Sequence, residues 1–252
     1  MSGEAWDALR YELDLWQAQG LVARLWLRDD DATQPGPALD HLIALARRWQ
    51  APVLLAVIPA LATPQLAQRL AGEPLVTPCQ HGFAHTNHAG PGEKKSELGP
   101  QRPLAQVLEA LREGKIRLAA LFGARVDPIL VPPWNRIAPG AIAALPSLGF
   151  TTLSTFGPAR PAPPPGLAQL NSDLDIIDWH NGRSCIPPAA LNTRLAALLA
   201  DARGRGGAPV GILTHHRDHD AAAWSYLDAL LKCTAFHTSA HWVAARALQA
   251  TI

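Results

Sequence analysis

The stretch Leu21-Val22-Ala23-Arg24-Leu25-Trp26-Leu27-Arg28-Asp29-Asp30-Asp31 decides the fold. A mostly apolar run of strand length ends abruptly in one arginine and three consecutive aspartates, which marks the carboxyl end of a buried strand. Similar runs recur at Pro52 to Ile58, Leu75 to Cys79, Pro128 to Val131, Phe150 to Ser154, Leu174 to Asp178 and Pro209 to Thr214, giving seven expected strands with the first at Ala23 to Arg28. Helical periodicity fills the intervals, over Ala38 to Trp49, Pro64 to Leu70, Pro103 to Phe122, Pro139 to Leu148, Ala189 to Ala202 and Ala221 to Leu231. Several of these have proline at or near the first turn, where its missing donor costs nothing. Alternating strands and helices build a parallel sheet through right-handed crossovers, either open and doubly wound or closed into a barrel.

Ahead of the first strand, Trp6, Leu9, Leu13 and Trp16 stand at helical spacing and the pattern stops at Gly20, so residues 1–20 are expected to form an amphipathic capping helix. A chain of 252 residues that is 48% hydrophobic suits one α/β unit, expected here to span 1–252. Pro158 to Gly166 is too proline-rich for helix or central strand and is expected as a surface loop.

A net charge of +1 with scattered Lys and Arg gives no basic face, which argues against nucleic acid as a partner. Cys79, Cys185 and Cys233 are far apart and form neither a disulfide framework nor a zinc ribbon. The first twenty residues carry Glu4, Asp7, Glu12 and Asp14 without an apolar signal-peptide core, and no run is long enough for a bilayer span. A cytoplasmic location is therefore expected. The oligomeric state is open, with Trp6 or Trp242 as exposed contact points.

Chemistry-bearing residues cluster at the expected strand ends, where barrels and open α/β sheets place their sites. Cys79-Gln80-His81-Gly82-Phe83-Ala84-His85-Thr86-Asn87-His88 holds two imidazoles four residues apart, which converge on one ion if a helical turn forms. A carboxylate from the Asp29–Asp31 run completes a two-His, one-carboxylate shell with open positions for water. Three adjacent carboxylates repel one another unless a cation neutralises them, and Arg28 beside them supplies one charge. After the fourth strand, Val131-Pro132-Pro133-Trp134-Asn135-Arg136 forms a rigid loop whose Trp134 amide suits a developing oxyanion. Asp178 and Trp179 emerge where the sixth strand ends, Trp179 as a wall for substrate and Asp178 orienting a neighbouring base or acid. His215, closing the last strand in Leu213-Thr214-His215-His216, suits a general acid, with His88, His180, His216 and His219 in lesser roles. GxSxG, P-loop and GxGxxG patterns are all missing, which disfavours serine hydrolases and nucleotide binders.

These five motifs, in this order, resemble the polysaccharide deacetylase family, from about residue 24 to 216. The resemblance implies a distorted seven-stranded (β/α) barrel and hydrolysis of an N-acetyl amide on a carbohydrate or related small substrate. It implies one divalent cation, zinc foremost with cobalt, nickel or iron as other choices, held by an aspartate, His81 and His85. It further implies an aspartate base, His215 as acid, Trp134 at the oxyanion, and Pro133, Asn135 and Trp179 lining the substrate site. The family usually opens its third motif with an arginine that pairs with the base, where this chain has Val131. Arg28 can replace it from two residues before Asp30, since alternate strand residues share a face. That register makes Asp30 the base and Asp31 the ligand; the other makes Asp29 the base and Asp30 the ligand. The family also more often has an acid where His216 follows the histidine. Two other functions stay compatible with the sequence: an inactive barrel that binds carbohydrate or a protein, and a non-haem Fe(II) enzyme.

Overall fold

The computed structural model describes residues 6–159 and 163–249. Its elements, in chain order, are α1 (Asp7–Ala18), β1 (Ala23–Ala32), α2 (Pro37–Trp49), β2 (Val53–Val57), α3 (Pro64–Leu70), β3 (Val76–His81), α4 (Leu104–Phe122) and β4 (Ile129–Val131). There follow α5 (Pro139–Ala144), β5 (Thr152–Leu153), β6 (Ala168–Gln169), β7 (Leu174–Asp175), β8 (Ile177–Asp178), β9 (Ser184–Cys185), α6 (Pro188–Gly204), β10 (Val210–Thr214), α7 (Ala221–Ala235), β11 (Ala240–Trp242) and α8 (Ala245–Gln249).

Parallel pairing runs β6-β5-β4-β3-β2-β1-β10-β7, and the sheet is curled. Its two ends, β6 and β7, belong to one stretch of chain. Residues 168–175 begin on β5, bridge Ser172 to Phe156, and finish on β10, where Asp173 N donates to the Gly211 carbonyl (2.7 Å). Counting that bent stretch once gives the seven staves expected from the sequence. The expected sixth strand, Leu174 to Asp178, is corrected: pairing with β10 covers only Leu174 and Asp175, and Ile177–Asp178 turns away into an antiparallel hairpin with Ser184–Cys185. Three short strands were not expected, Ala168–Gln169, Ser184–Cys185 and Ala240–Trp242; the last pairs with the start of β1.

Strand alternation sorts the apolar residues into two layers. Leu25, Leu27, Val53, Leu55, Val210 and Ile212 point outward to α1, α2, α6 and α7. Trp26, Leu54, Ala56, Cys79, Ile129 and Val131 point inward, and Ala245 and Leu248 of α8 join them. Trp26, paired with Gly211 across β1 and β10, fills the volume that a side chain at 211 would need. Within the expected capping segment α1 covers Asp7–Ala18, and residues 1–5 lie outside the described residues; Trp6 is buried and stacked on Tyr226 at 5.7 Å, and Trp242 donates to Thr234 Oγ1, so neither is the exposed contact the sequence suggested. Pro146 divides the expected helix Pro139 to Leu148, because it has no N–H to continue the ladder. Of the proline-rich loop, residues 160–162 lie outside the described residues, and those on either side are irregular. No helix of the described residues is long and apolar enough to cross a membrane.

Two predictions follow from the barrel wall. A Cβ at position 211 would lie 2.6 Å from the Trp26 ring, so Gly211→Ala should cost about 1–3 kcal/mol in urea unfolding. Asp173 also accepts from Gly211 N (2.8 Å), but burial lifts its pKa from 3.8 to about 6. Below 3.8 both folded and unfolded states hold the proton; between 3.8 and 6 only the folded state does, so stability falls as pH rises through that window. Asp173→Asn should therefore gain stability over the parent protein between pH 4 and pH 7, read as a growing difference in denaturation midpoint.

Candidate active site

At the carboxyl ends of the strands lies an open cleft of about 1150 Å³, and residues from all five motifs line it. Its floor begins with β1. Arg28 and Asp30 share the interior face, as the two-residue period demands, and Asp29 faces outward. Regular alternation would send Asp31 outward as well. Instead the pairing of β1 with β2 slips between Asp29 and Ala32, and Asp31 takes φ 72°, so Asp30 and Asp31 both serve the interior.

Each of the three aspartates has a different partner. Arg28, fully buried, grips Asp30 with Nη2 3.0 Å from Oδ2 and Nε 3.0 Å from Oδ1. The rest of the guanidinium is used by Ser154 Oγ (2.9 Å), the Thr155 carbonyl (3.0 Å) and Asn135 Oδ1 (2.8 Å). Val131, where the resemblance has an arginine, is buried among the inward apolar residues, and its carbonyl accepts from His81 Nδ1 (3.0 Å). Asp29 turns outward to Thr214 Oγ1 (2.7 Å), His216 N (2.9 Å) and His216 Nδ1 (2.5 Å). Burial opposes the Asp29 charge, but the His216 charge and hydrogen bond outweigh it and lower the pKa. His216 thus anchors the segment that carries His215 to β1.

Asp31 Oδ1 lies 3.0 Å from His81 Nε2 and 3.2 Å from His85 Nε2, and the three donor atoms fall within 4.8 Å of one another. Burial works against the Asp31 charge, yet the adjoining His81 and the His85 and His215 imidazoles hold its pKa well below the usual carboxylate range. His81 Nδ1 must carry a proton to meet the Val131 carbonyl, which leaves the neutral ring's Nε2 lone pair aimed at a carboxylate oxygen. Asp31 Oδ1 has no satisfactory hydrogen-bond partner. Lone pairs converging on one point call for a cation between them, and an O,N,N donor set suits zinc or a similar divalent ion.

The imidazoles do not meet through a helical turn, contrary to the sequence expectation. His81 ends β3, the following residues are irregular, and His85 has φ 56°. The turn is shaped instead by Gly82 at φ 52° and by Glu97, a fully buried carboxylate that accepts from Phe83 N (3.0 Å) and Ala84 N (2.7 Å). A Cβ at Gly82 would lie 2.1 Å from Glu97 Oε2 and 2.5 Å from Pro133 Cδ, so only glycine fits. Glu97 escaped the sequence analysis because it stands outside every motif. Its one signal is a lone acid in a loop next to apolar Leu98.

The other walls bring two corrections. Pro133 is buried under the Gly82 turn and does not line the cleft, whereas Trp134 and Asn135 do. Trp134 lies with its ring 4.3 Å from that of His85. Asp178 reaches the cleft edge, but its carboxylate caps the hairpin turn through His180 N and Asn181 N (both 3.1 Å) and orients no base or acid. Asp175 holds that place. Its Oδ2 accepts from Trp179 Nε1 (2.7 Å), and Trp179 meets His215 edge-on with ring centroids 4.6 Å apart. Burial raises the Asp175 pKa, with the His215 charge pulling against it. His215 Nε2 is 3.9 Å from Asp30 Oδ2, so the two face each other across the floor. His219, pushed down to about 4 by burial, packs behind against Trp224.

No protein-family model and no curated protein matches the sequence. Solved structures do match in fold. A putative polysaccharide deacetylase from Mycobacterium smegmatis superposes with a TM-score of 0.67 at 15% identity, over 92% of this chain and 91% of that one. The peptidoglycan deacetylase PdaC from Bacillus subtilis gives 0.56 at 14% identity, over 91% of each chain. A family 4 acetyl xylan esterase from Clostridium thermocellum, in complex with a cobalt ion, gives 0.54 at 12% identity over 90% of each. This likeness is one of fold, and the fold is the curled (β/α) barrel that the motifs implied.

Removing Arg28 would leave a buried carboxylate without its counter-charge. Arg28→Met should cost about 3–5 kcal/mol in urea unfolding, and Asp30→Asn in the same chain should recover part of that loss.

Proposed function

We propose that the chain is a metal-dependent deacetylase of the polysaccharide deacetylase family, removing an N-acetyl group from a sugar or related amide. The observation that carries this is the convergence of Asp31, His81 and His85 beside a second buried carboxylate, Asp30, held by Arg28. The likeness of fold to deacetylases supports it.

In this proposal Asp31, His81 and His85 hold one divalent ion, zinc being the best match to the donors. When bound, the ion lowers the pKa of a water and polarises the acyl carbonyl. Asp30 takes the proton of the attacking water, and Arg28 fixes the carboxylate in the orientation for that transfer. The Trp134 amide donates to the oxygen that gains charge at the tetrahedral carbon. His215, across the floor from Asp30, protonates the departing amine, so that the carbon–nitrogen bond breaks to acetate and a free amine. Asp175 and Trp179 orient His215, and Trp179 and Asn135 wall the substrate.

Arg28 pairs with Asp30, the role that the resemblance gives to an arginine where this chain has Val131, and this pairing supports an active site over an inactive barrel. Purified protein should contain one divalent ion per chain and release acetate from N-acetylated oligosaccharides. Asp30→Asn should keep the ion and lose about 100-fold or more of the rate. Metal without acetate release from any acylated sugar would sink the proposal, and iron that consumes oxygen would replace it with the oxygenase reading.

A further inference from the structure

Among the described residues, six non-glycine residues have positive φ, and five of them, Asp31, His85, Trp134, Asn135 and Arg183, line the cleft. Left-handed backbone at a side-chain-bearing residue is costly and persists where the surroundings enforce it. The first four belong to the hydrolytic machinery described above. Arg183, at φ 54° in the turn between β8 and β9, has no part in it.

Charge around the cleft is unevenly used. Three lining acids are engaged elsewhere, Asp31 by the imidazoles, Asp175 by Trp179 and Ile177 N, and Asp178 by its turn, and the fourth, Asp218, faces Arg183 alone among the cations. The cations are less engaged. Arg183 has one long contact, 3.5 Å to Asp218 Oδ1, and lies over Trp179 with its guanidinium carbon 5.9 Å from the ring centroid. Arg194, exposed on α6, meets no acid among the described residues, and neither does Lys95 on the other side of the cleft. Arg136 uses one amino group on the Lys95 carbonyl (2.8 Å). Hydrolysis of a neutral amide has no use for a guanidinium over Trp179 and a second one in the same cleft. A fork of N–H donors is suited to two-pronged recognition of carboxylate or phosphate.

We infer that the side of the cleft built by residues 177–194, with Arg183 and Arg194 as its donors, is a subsite for an anionic substituent, a carboxylate or a phosphate, on the acylated sugar. The inference rests on the hydrolase proposal for the position of the amide, and the subsite itself is testable by binding alone.

The test uses the metal-loaded protein and three probes: a neutral N-acetylated disaccharide, its uronate-bearing counterpart and N-acetylglucosamine 1-phosphate. The expected result is kcat/KM at least about tenfold higher for one or both charged probes than for the neutral one, with the advantage shrinking as salt rises. Which charged probe leads identifies the group. Arg183→Gln and Arg194→Glu should each reduce the ratio of charged to neutral kcat/KM, whereas Lys95→Ala should not. Both arginines are exposed, and unchanged thermal melting would confirm folded variants. Calorimetric binding of the charged probes separates the two proposals: tight, salt-sensitive binding lost in the arginine variants, without turnover, would keep the subsite and remove the hydrolase. Equal binding and turnover of charged and neutral probes would overturn the subsite, as would a charge preference that follows Lys95 in place of the arginines.

Discussion

Two neighbouring carboxylates facing the same interior is the constraint around which the rest of the site is arranged. A regular strand would send Asp30 and Asp31 to opposite faces, and two like charges on one face repel. The bulge in β1 brings them together, and two separate devices keep them apart in charge: Arg28 beneath Asp30, and the imidazoles of His81 and His85 around Asp31. Arg28 is fully buried, two residues beyond Trp26 on the same face of β1, so its charge and donors need partners from the fold. That need reaches to β5 through Ser154 and Thr155 and to the β4 loop through Asn135. Three staves of the barrel are thereby tied to one side chain.

Much of this was legible in the sequence, because period and spacing are local properties. The seven staves, the flanking helices and the shared face of Arg28 and Asp30 all follow from alternation. What escaped depends on contacts across the fold. The histidine pair looked like a helical turn, yet Glu97, a dozen residues on and buried by the loop folding back, makes a different turn. Alternation carried through Ile177 points to Asp178 as the acid near the site. The strand leaves β10 after Asp175, which shifts the acid near His215 by three residues. Pro133 looked like cleft wall, but its ring is what Gly82 packs against. Ala168–Gln169 was invisible because two residues beyond a proline-rich loop carry no period.

Positive φ at Asp31, His85, Trp134 and Asn135 places backbone strain on the segments that deliver the polar groups. Such conformations are held by packing from several directions, here the Glu97 cap, the Arg28 hub and the His216–Asp29 pair. The helices and outer core supply the stability against which that strain is set.

The small helix α8 helps to bar passage through the barrel. Ala245 and Leu248 close the end opposite the site, and the Trp26 layer fills the space above them. The interior beneath the cleft is thus filled with side chains and offers no passage, so a substrate of any length is met at the rim of the strand ends and held from one side.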